Sequence, residues 1–193
     1  MSAARETRPT RIAVHKLLAV GAALLATAAP SLGAADRNPT VAVLPLAAAD
    51  TGIPYGLLPS PSELKVMTGQ VRAGLGAGGV SLVGQKRLPP AVSAAGFDQT
   101  TPVRSCVVAE CARKIGRSVH ADQVVVGAVT REMAVVWGTT FSIVDVRSGK
   151  VVGEMNVGYK GDVQAMELGE RDAGACLARM IKGQKPCPPD KGW

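Results

Sequence analysis

The sequence predicts a single α/β domain, a mixed five-stranded sheet in the order β-α-β-α-β-β-β-α with helices packed on it. Three observations lead there. Short Val-rich runs, too brief for helices, recur along the chain. The first two flank a segment whose apolar residues fall every three to four positions. Beyond residue 122 the period switches to strand-like alternation, then returns to helical spacing. With 193 residues, 47% of them hydrophobic, the chain is long enough for one core and too apolar for a disordered protein.

The first 35 residues stand outside that domain. Arg5, Arg8, Arg11 and Lys16 precede an apolar run from Leu17 to Ala29, and the small residues Ser31, Gly33, Ala34 and Ala35 follow Pro30. A basic start, a short apolar centre and a small-residue exit are the parts of a secretory signal peptide. The apolar run falls short of the roughly 20 residues a spanning helix needs. Cleavage is expected after Ala35, with Gly33 as the alternative. Residues 36–182 then form the domain and 183–193 a tail, in the periplasm, with no stable membrane insertion. The leader holds four of the 22 basic residues and one of the 15 acidic ones, so its removal moderates the net charge of +7.

Thr40 to Leu46 is a short apolar run, read as a buried strand, and 47–59 as a loop. Ser60-Pro61-Ser62-Glu63 is a helix start. Ser60 is the N-cap, Pro61 suits the first helical position, and Glu63 closes a capping box. Leu64, Met67, Val71 and Leu75 form one face of that helix, and Gly76 to Gly79 end it. Val80 to Val83 is a second strand, parallel to the first across the helix. Residues 84–104, with Pro89-Pro90, Gly96 and Pro102, show no periodicity and read as a long connection. Cys106 to Ser118 reads as a helix with Val108, Cys111, Ala112 and Ile115 inward. Residues 123–130, 135–146 and 151–159 read as an antiparallel meander, with Arg147-Ser148-Gly149-Lys150 as its second turn. Asp162 to Ile181 returns to helix, and Pro186, Pro188 and Pro189 prevent its continuation.

Cys106, Cys111, Cys176 and Cys187 are even in number and follow the leader. In an oxidising compartment that suggests disulfides, with the local pairs Cys106–Cys111 and Cys176–Cys187 expected. Free or redox-active thiols and a zinc site are the alternatives. The 176/187 spacing is too wide for the usual zinc ligand pair. No cofactor is expected.

The element order and three local patterns resemble the secreted α/β domain shared by the TolB N-terminal domain and CsgG. The patterns are Val41-Ala42-Val43-Leu44-Pro45-Leu46, Cys106-x4-Cys111-Ala112-x2-Ile115-Gly116 with Ala121-Asp122-Gln123-Val124-Val125-Val126-Gly127, and Asp145-Val146-x2-Gly149-Lys150-Val151-Val152. The closest resemblance is to small periplasmic proteins of that kind, across residues 40–181. The chain lacks the length for a β-propeller and has no lipidation cysteine near the leader exit. The resemblance implies an envelope accessory or binding role, with another envelope protein or a small ligand as partner.

Catalytic patterns are weak. His120 is the only histidine after the leader and reads as a turn residue, at a place where the resembled proteins often have glycine. Ser62-x-x-Lys65 matches a Ser-x-x-Lys pair, but its companion motifs are missing and Ser62 belongs to the helix start. Gly74 to Gly79 closes a helix, whereas a phosphate loop opens one. The basic groups Arg113/Lys114/Arg117 and Lys182/Lys185/Lys191 read as solvated faces. With 3% aromatic residues, nucleic acid is not the expected partner. The expected function is non-enzymatic binding in the cell envelope; a hydrolase or thiol redox enzyme with an unrecognised site is the alternative. Ligands of open α/β sheets gather at the carboxyl ends of parallel strands. That places the candidate binding surface on the loops 47–59 and 84–104, with Tyr55 and Phe97 as apolar contacts and Lys86, Arg87 and Arg104 attracting an anionic group. Asp50 and Asp98 share those loops.

Overall fold

The structure, a computed structural model, describes residues 38–49, 58–95, 109–185 and Cys187. The leader with its cleavage point, Asp50, Tyr55, Phe97, Asp98, Arg104 and Cys106 lie outside the described residues.

All five expected strands are present, joined by a sixth of two residues. β1 (Thr40–Val43) and β2 (Ala47–Ala48) flank Pro45. α1 (Pro61–Ala77) leads to β3 (Ser81–Leu82), a 3-10 turn (Gln85–Arg87) and α2 (Leu88–Ala94). Then come α3 (Ala109–Ser118), β4 (Gln123–Met133), β5 (Val136–Asp145), β6 (Val151–Lys160) and α4 (Val163–Ile181). The sheet order is β3-β1-β4-β5-β6, with β2 also on β4. β3, β1 and β4 run parallel, and β4, β5 and β6 form the antiparallel meander.

Two readings of the sequence need correction. The loop at 47–59 begins with β2. Proline has no N–H for the ladder, so the strand breaks at Pro45 and resumes. Val43 pairs with Val125 and Ala47 with Ala128, so four steps along the first chain face three along β4. One residue is absorbed there, as in a bulge. The second correction is α2, which lies inside the supposed connection 84–104. Pro89 and Pro90 sit in its first turn, where a missing N–H costs nothing. Leu88 and Val92, one turn apart, are its buried residues. A helix of seven residues is too short to show a period.

The helices sandwich the sheet. On one face α1 and α4 bury Met67, Val71, Leu75, Met166 and Leu177 against Val41, Val43, Val125, Phe141 and Ile143. On the other, α2 and α3 bury Leu88, Val92, Ala112 and Ile115 against Ala42, Leu44, Val124, Val126 and Val144. The odd and even positions of β1 and β4 thus serve two separate cores, as a strand covered on both faces requires. The capping box forms as expected. The Ser60 hydroxyl accepts from the Glu63 N–H at 3.2 Å, and the Glu63 carboxylate accepts from the Ser60 N–H at 2.6 Å. His120 occupies the left-handed region at φ 57°, which explains the tight step from α3 into β4. Asp122 then clasps the sheet, its carboxylate accepting from the Thr40 N–H at 2.7 Å.

Cys176 on α4 is bonded to Cys187, 11 residues later, which ties the tail back to the helix. Cys111 is also disulfide-bonded. Its expected partner Cys106 lies outside the described residues, so that pairing stays a proposal. Replacing Cys176 and Cys187 by serine together is expected to cost about 3 kcal/mol, the entropy of closing a loop of this size in the unfolded chain. Urea unfolding of oxidised wild type against the double variant measures it. An equal midpoint would show the tail to be energetically idle.

Candidate functional site

Beside the break at Pro45, a cleft of about 490 Å³ opens at the carboxyl end of β1. Val43, Pro45 and Leu46 form one wall. A second is the face of α1 carrying Pro61, Leu64, Lys65, Thr68, Gly69 and Arg72. The third is Gln85, Leu88 and Pro89, from the 3-10 turn and α2. The volume is in the range of small-molecule sites.

The lining is mostly aliphatic, and its polar groups divide into committed and uncommitted ones. Thr68 is committed. Its hydroxyl donates to the Leu64 carbonyl at 2.7 Å and accepts from the Leu46 N–H at 2.9 Å, bolting α1 to the irregular strand end. Arg72 is half committed. Its Nη2 donates to the Val83 carbonyl at 2.8 Å, just past β3. Its Nη1 is buried and has no partner among the described residues. Burial lowers the guanidinium pKa from its ordinary value. Lys65 is exposed, two helical turns before Arg72 on the same face. Of the described lining residues these two are the cations, and none is acidic.

Of the expected site residues, Lys86 and Arg87 fall within the described structure. Both are exposed on the 3-10 turn, next in sequence to the lining Gln85 but not themselves in the cleft wall. Tyr55, Phe97 and Arg104 lie outside the described residues. Of the α1 residues in the cleft, Lys65 entered the sequence reading only through the discounted Ser62-x-x-Lys65 match, and Thr68, Gly69 and Arg72 were not singled out. They did leave a signal: positions 65, 68, 69 and 72 fall at i, i+3, i+4 and i+7, a helical face one step round from the core residues 64, 67, 71 and 75. That pattern marks a second face beside the core. What lies opposite it cannot be read from the period. His120 is exposed in its turn, remote in sequence from the cleft lining.

No group of three or more metal-ligating side chains is gathered among the described residues. No helix among them is long and apolar enough to cross a membrane.

The comparisons with known proteins follow the same domain. No curated protein matches the sequence. Among solved structures, the LpoB C-terminal domain from Salmonella enterica is 16% identical at a TM-score of 0.49, covering 64% of this chain and 83% of that one. The PelC dodecamer from Paraburkholderia phytofirmans is 17% identical at 0.46, covering 78% and 90%. Lipoprotein GNA1162 from Neisseria meningitidis is 18% identical at 0.43, covering 64% and 81%. Residues 39–166 match the family model DUF3280, described as "Protein of unknown function (DUF2380)". That match takes in β1, all three walls of the cleft and the whole meander, and the chain belongs to the DUF3280 family.

Proposed function

We propose that this protein is a non-enzymatic accessory protein of the cell envelope, exported to the periplasm, and that it acts by binding a ligand in the cleft at the end of β1. The observation that carries the reading is the cleft itself, an apolar recess with cations on one wall. Its side chains suit holding better than reacting. Among the described lining residues the one hydroxyl, on Thr68, already has a donor and an acceptor, and the side chains of Lys65 and Arg72 suit fixing an anionic group. The leader-like first 35 residues and the Cys176–Cys187 disulfide support an oxidising location. The resemblance to TolB and CsgG domains belongs to the same proposal.

A photo-reactive amino acid placed at Lys65 in the exported chain tests this. The expected result is a light-dependent adduct with an envelope component from the periplasmic fraction, absent when the probe stands at Arg117 on the opposite layer. A chain confined to the cytosol would sink the reading. So would turnover of general ester or peptide substrates by the purified protein, which would favour the hydrolase alternative.

A further inference from the structure

Gly69 is a glycine without a packing reason. It lies in the middle of α1, where glycine costs roughly 1 kcal/mol relative to alanine. Its φ is ordinary for a helix, since it is not among the residues in the left-handed region. A Cβ built on it would meet nothing within 4 Å among the described residues. Gly74 on the same helix is different, because a Cβ there would run into the backbone of α4. What a side chain at 69 would occupy is the cleft, which Gly69 lines. The missing side chain keeps a strip of α1 low between Lys65 and Arg72, residues about 10 Å apart along the helix axis.

From this arrangement we infer that the cleft holds an amphiphilic carboxylate, an acid group on an unbranched hydrocarbon chain, with the acid paired to Arg72 and the chain lying over Gly69. The inference rests on the binding function proposed above and names its ligand class. The acid group is argued from Arg72, whose Nη2 is anchored on Val83 while the buried Nη1 lacks an acceptor. A carboxylate is the planar acceptor that a guanidinium fits. The hydrocarbon body is argued from Val43, Leu46, Leu64 and Leu88, all buried and all lining the cleft. An extended peptide fits less well. Its own N–H and C=O groups would need partners, and the Leu46 N–H and Thr68 hydroxyl are already bonded to each other. A hydrocarbon chain makes no such demand.

Calorimetric titration of the oxidised protein at neutral pH, with octanoate, 1-octanol and octylammonium as probes, tests the inference. Octanoate is expected to saturate, octanol to bind at least about tenfold more weakly, and octylammonium not to bind. Gly69→Leu is expected to abolish octanoate binding without lowering the Tm, because no described residue occupies the space it fills. Arg72→Lys, which keeps the charge, retains the preference for octanoate over octanol; Arg72→Gln makes the two alike. Octanol binding as tightly as octanoate, and also lost in Gly69→Leu, would overturn the acid group but leave the cleft as a binding site. Octanoate binding that survives Gly69→Leu, or no binding by any probe, would overturn this inference. In that second case the adduct at Lys65 still decides the broader reading by itself.

Discussion

Replacing Gly74 by alanine is expected to destabilise the protein by about 3 kcal/mol, although the same change at Gly69 is expected to stabilise it by about 0.5–1 kcal/mol. Both glycines lie inside α1, and by helix propensity alone both substitutions gain. The difference comes from α4. At Gly74 a Cβ would stand 2.0 Å from the Arg171 carbonyl oxygen and 2.8 Å from the Ala175 nitrogen. These are backbone atoms of a helix, and they cannot rotate aside as a side-chain tip can. Across the same contact, a Cβ on Gly174 would stand 2.3 Å from the Val71 carbonyl oxygen. The two helices approach backbone to backbone, so any side chain there pushes α4 off α1 and opens the layer that holds Met67, Val71, Met166 and Leu177. Gly174→Ala is expected to match Gly74→Ala, and the double variant to lose much less than the sum, because one displacement of α4 relieves both clashes. Urea unfolding of the three variants and of Gly69→Ala measures this. A Gly74→Ala protein as stable as Gly69→Ala would show that the helices slide apart freely.

Stability is expected to fall as pH rises from about 5 to about 8, and a single side chain carries the change. Glu170 is fully buried on α4. The Thr139 hydroxyl of β5 donates to its Oε1 at 2.5 Å, while Oε2 has no partner among the described residues. Burial pushes the carboxyl up from 4.5 to about 7, and the Thr139 hydrogen bond opposes this only in part. Because the folded value is the higher one, the folded state holds the proton where the unfolded chain has released it. The stabilisation is complete below about pH 4.5. It declines as pH rises, and is lost once the pH passes about 7, where the folded carboxyl ionises too. A raise of this size corresponds to about 3 kcal/mol. Glu170→Gln keeps an acceptor for Thr139 and cannot ionise. It is expected to remove this loss and to be more stable than wild type at about pH 8, with the two close together at about pH 5. Paired unfolding curves at both pH values cancel the contribution of the other titrating groups. Parallel pH profiles for wild type and Glu170→Gln would exclude the carboxyl as the source.

The elements whose cause is local were legible in the chain. The capping box at Ser60 and Glu63, the core stripe 64/67/71/75, the meander and the pairing of Cys176 with Cys187 each depend on residues a few positions apart, or on a period those residues repeat. The alternation of Val135, Trp137, Thr139, Phe141 and Ile143 marked one face of a strand, and all of these but the exposed Val135 are buried. It did not say that Thr139 would find a carboxylate there, because Glu170 reads as one more acid in a helix until α4 is laid on the sheet. Gly69 and Gly74 differ in the same way. The helix that contains them treats them alike, and only the approach of α4 to one and the open cleft beside the other separates them. α2 was missed because seven residues hold too few turns to show a period, and its two prolines, read as breakers, sit where a helix tolerates them. The sequence by itself determined which faces of α1 and α4 would be buried and where those two helices begin and end, since these follow from spacing and from side-chain-to-backbone bonds within a turn. The cleft at the end of β1, with Arg72 and Lys65 on one wall and Leu88 on another, was decided by the tertiary structure alone. Its walls come from segments that meet only when the sheet has formed, and no period along a chain records what stands across a gap.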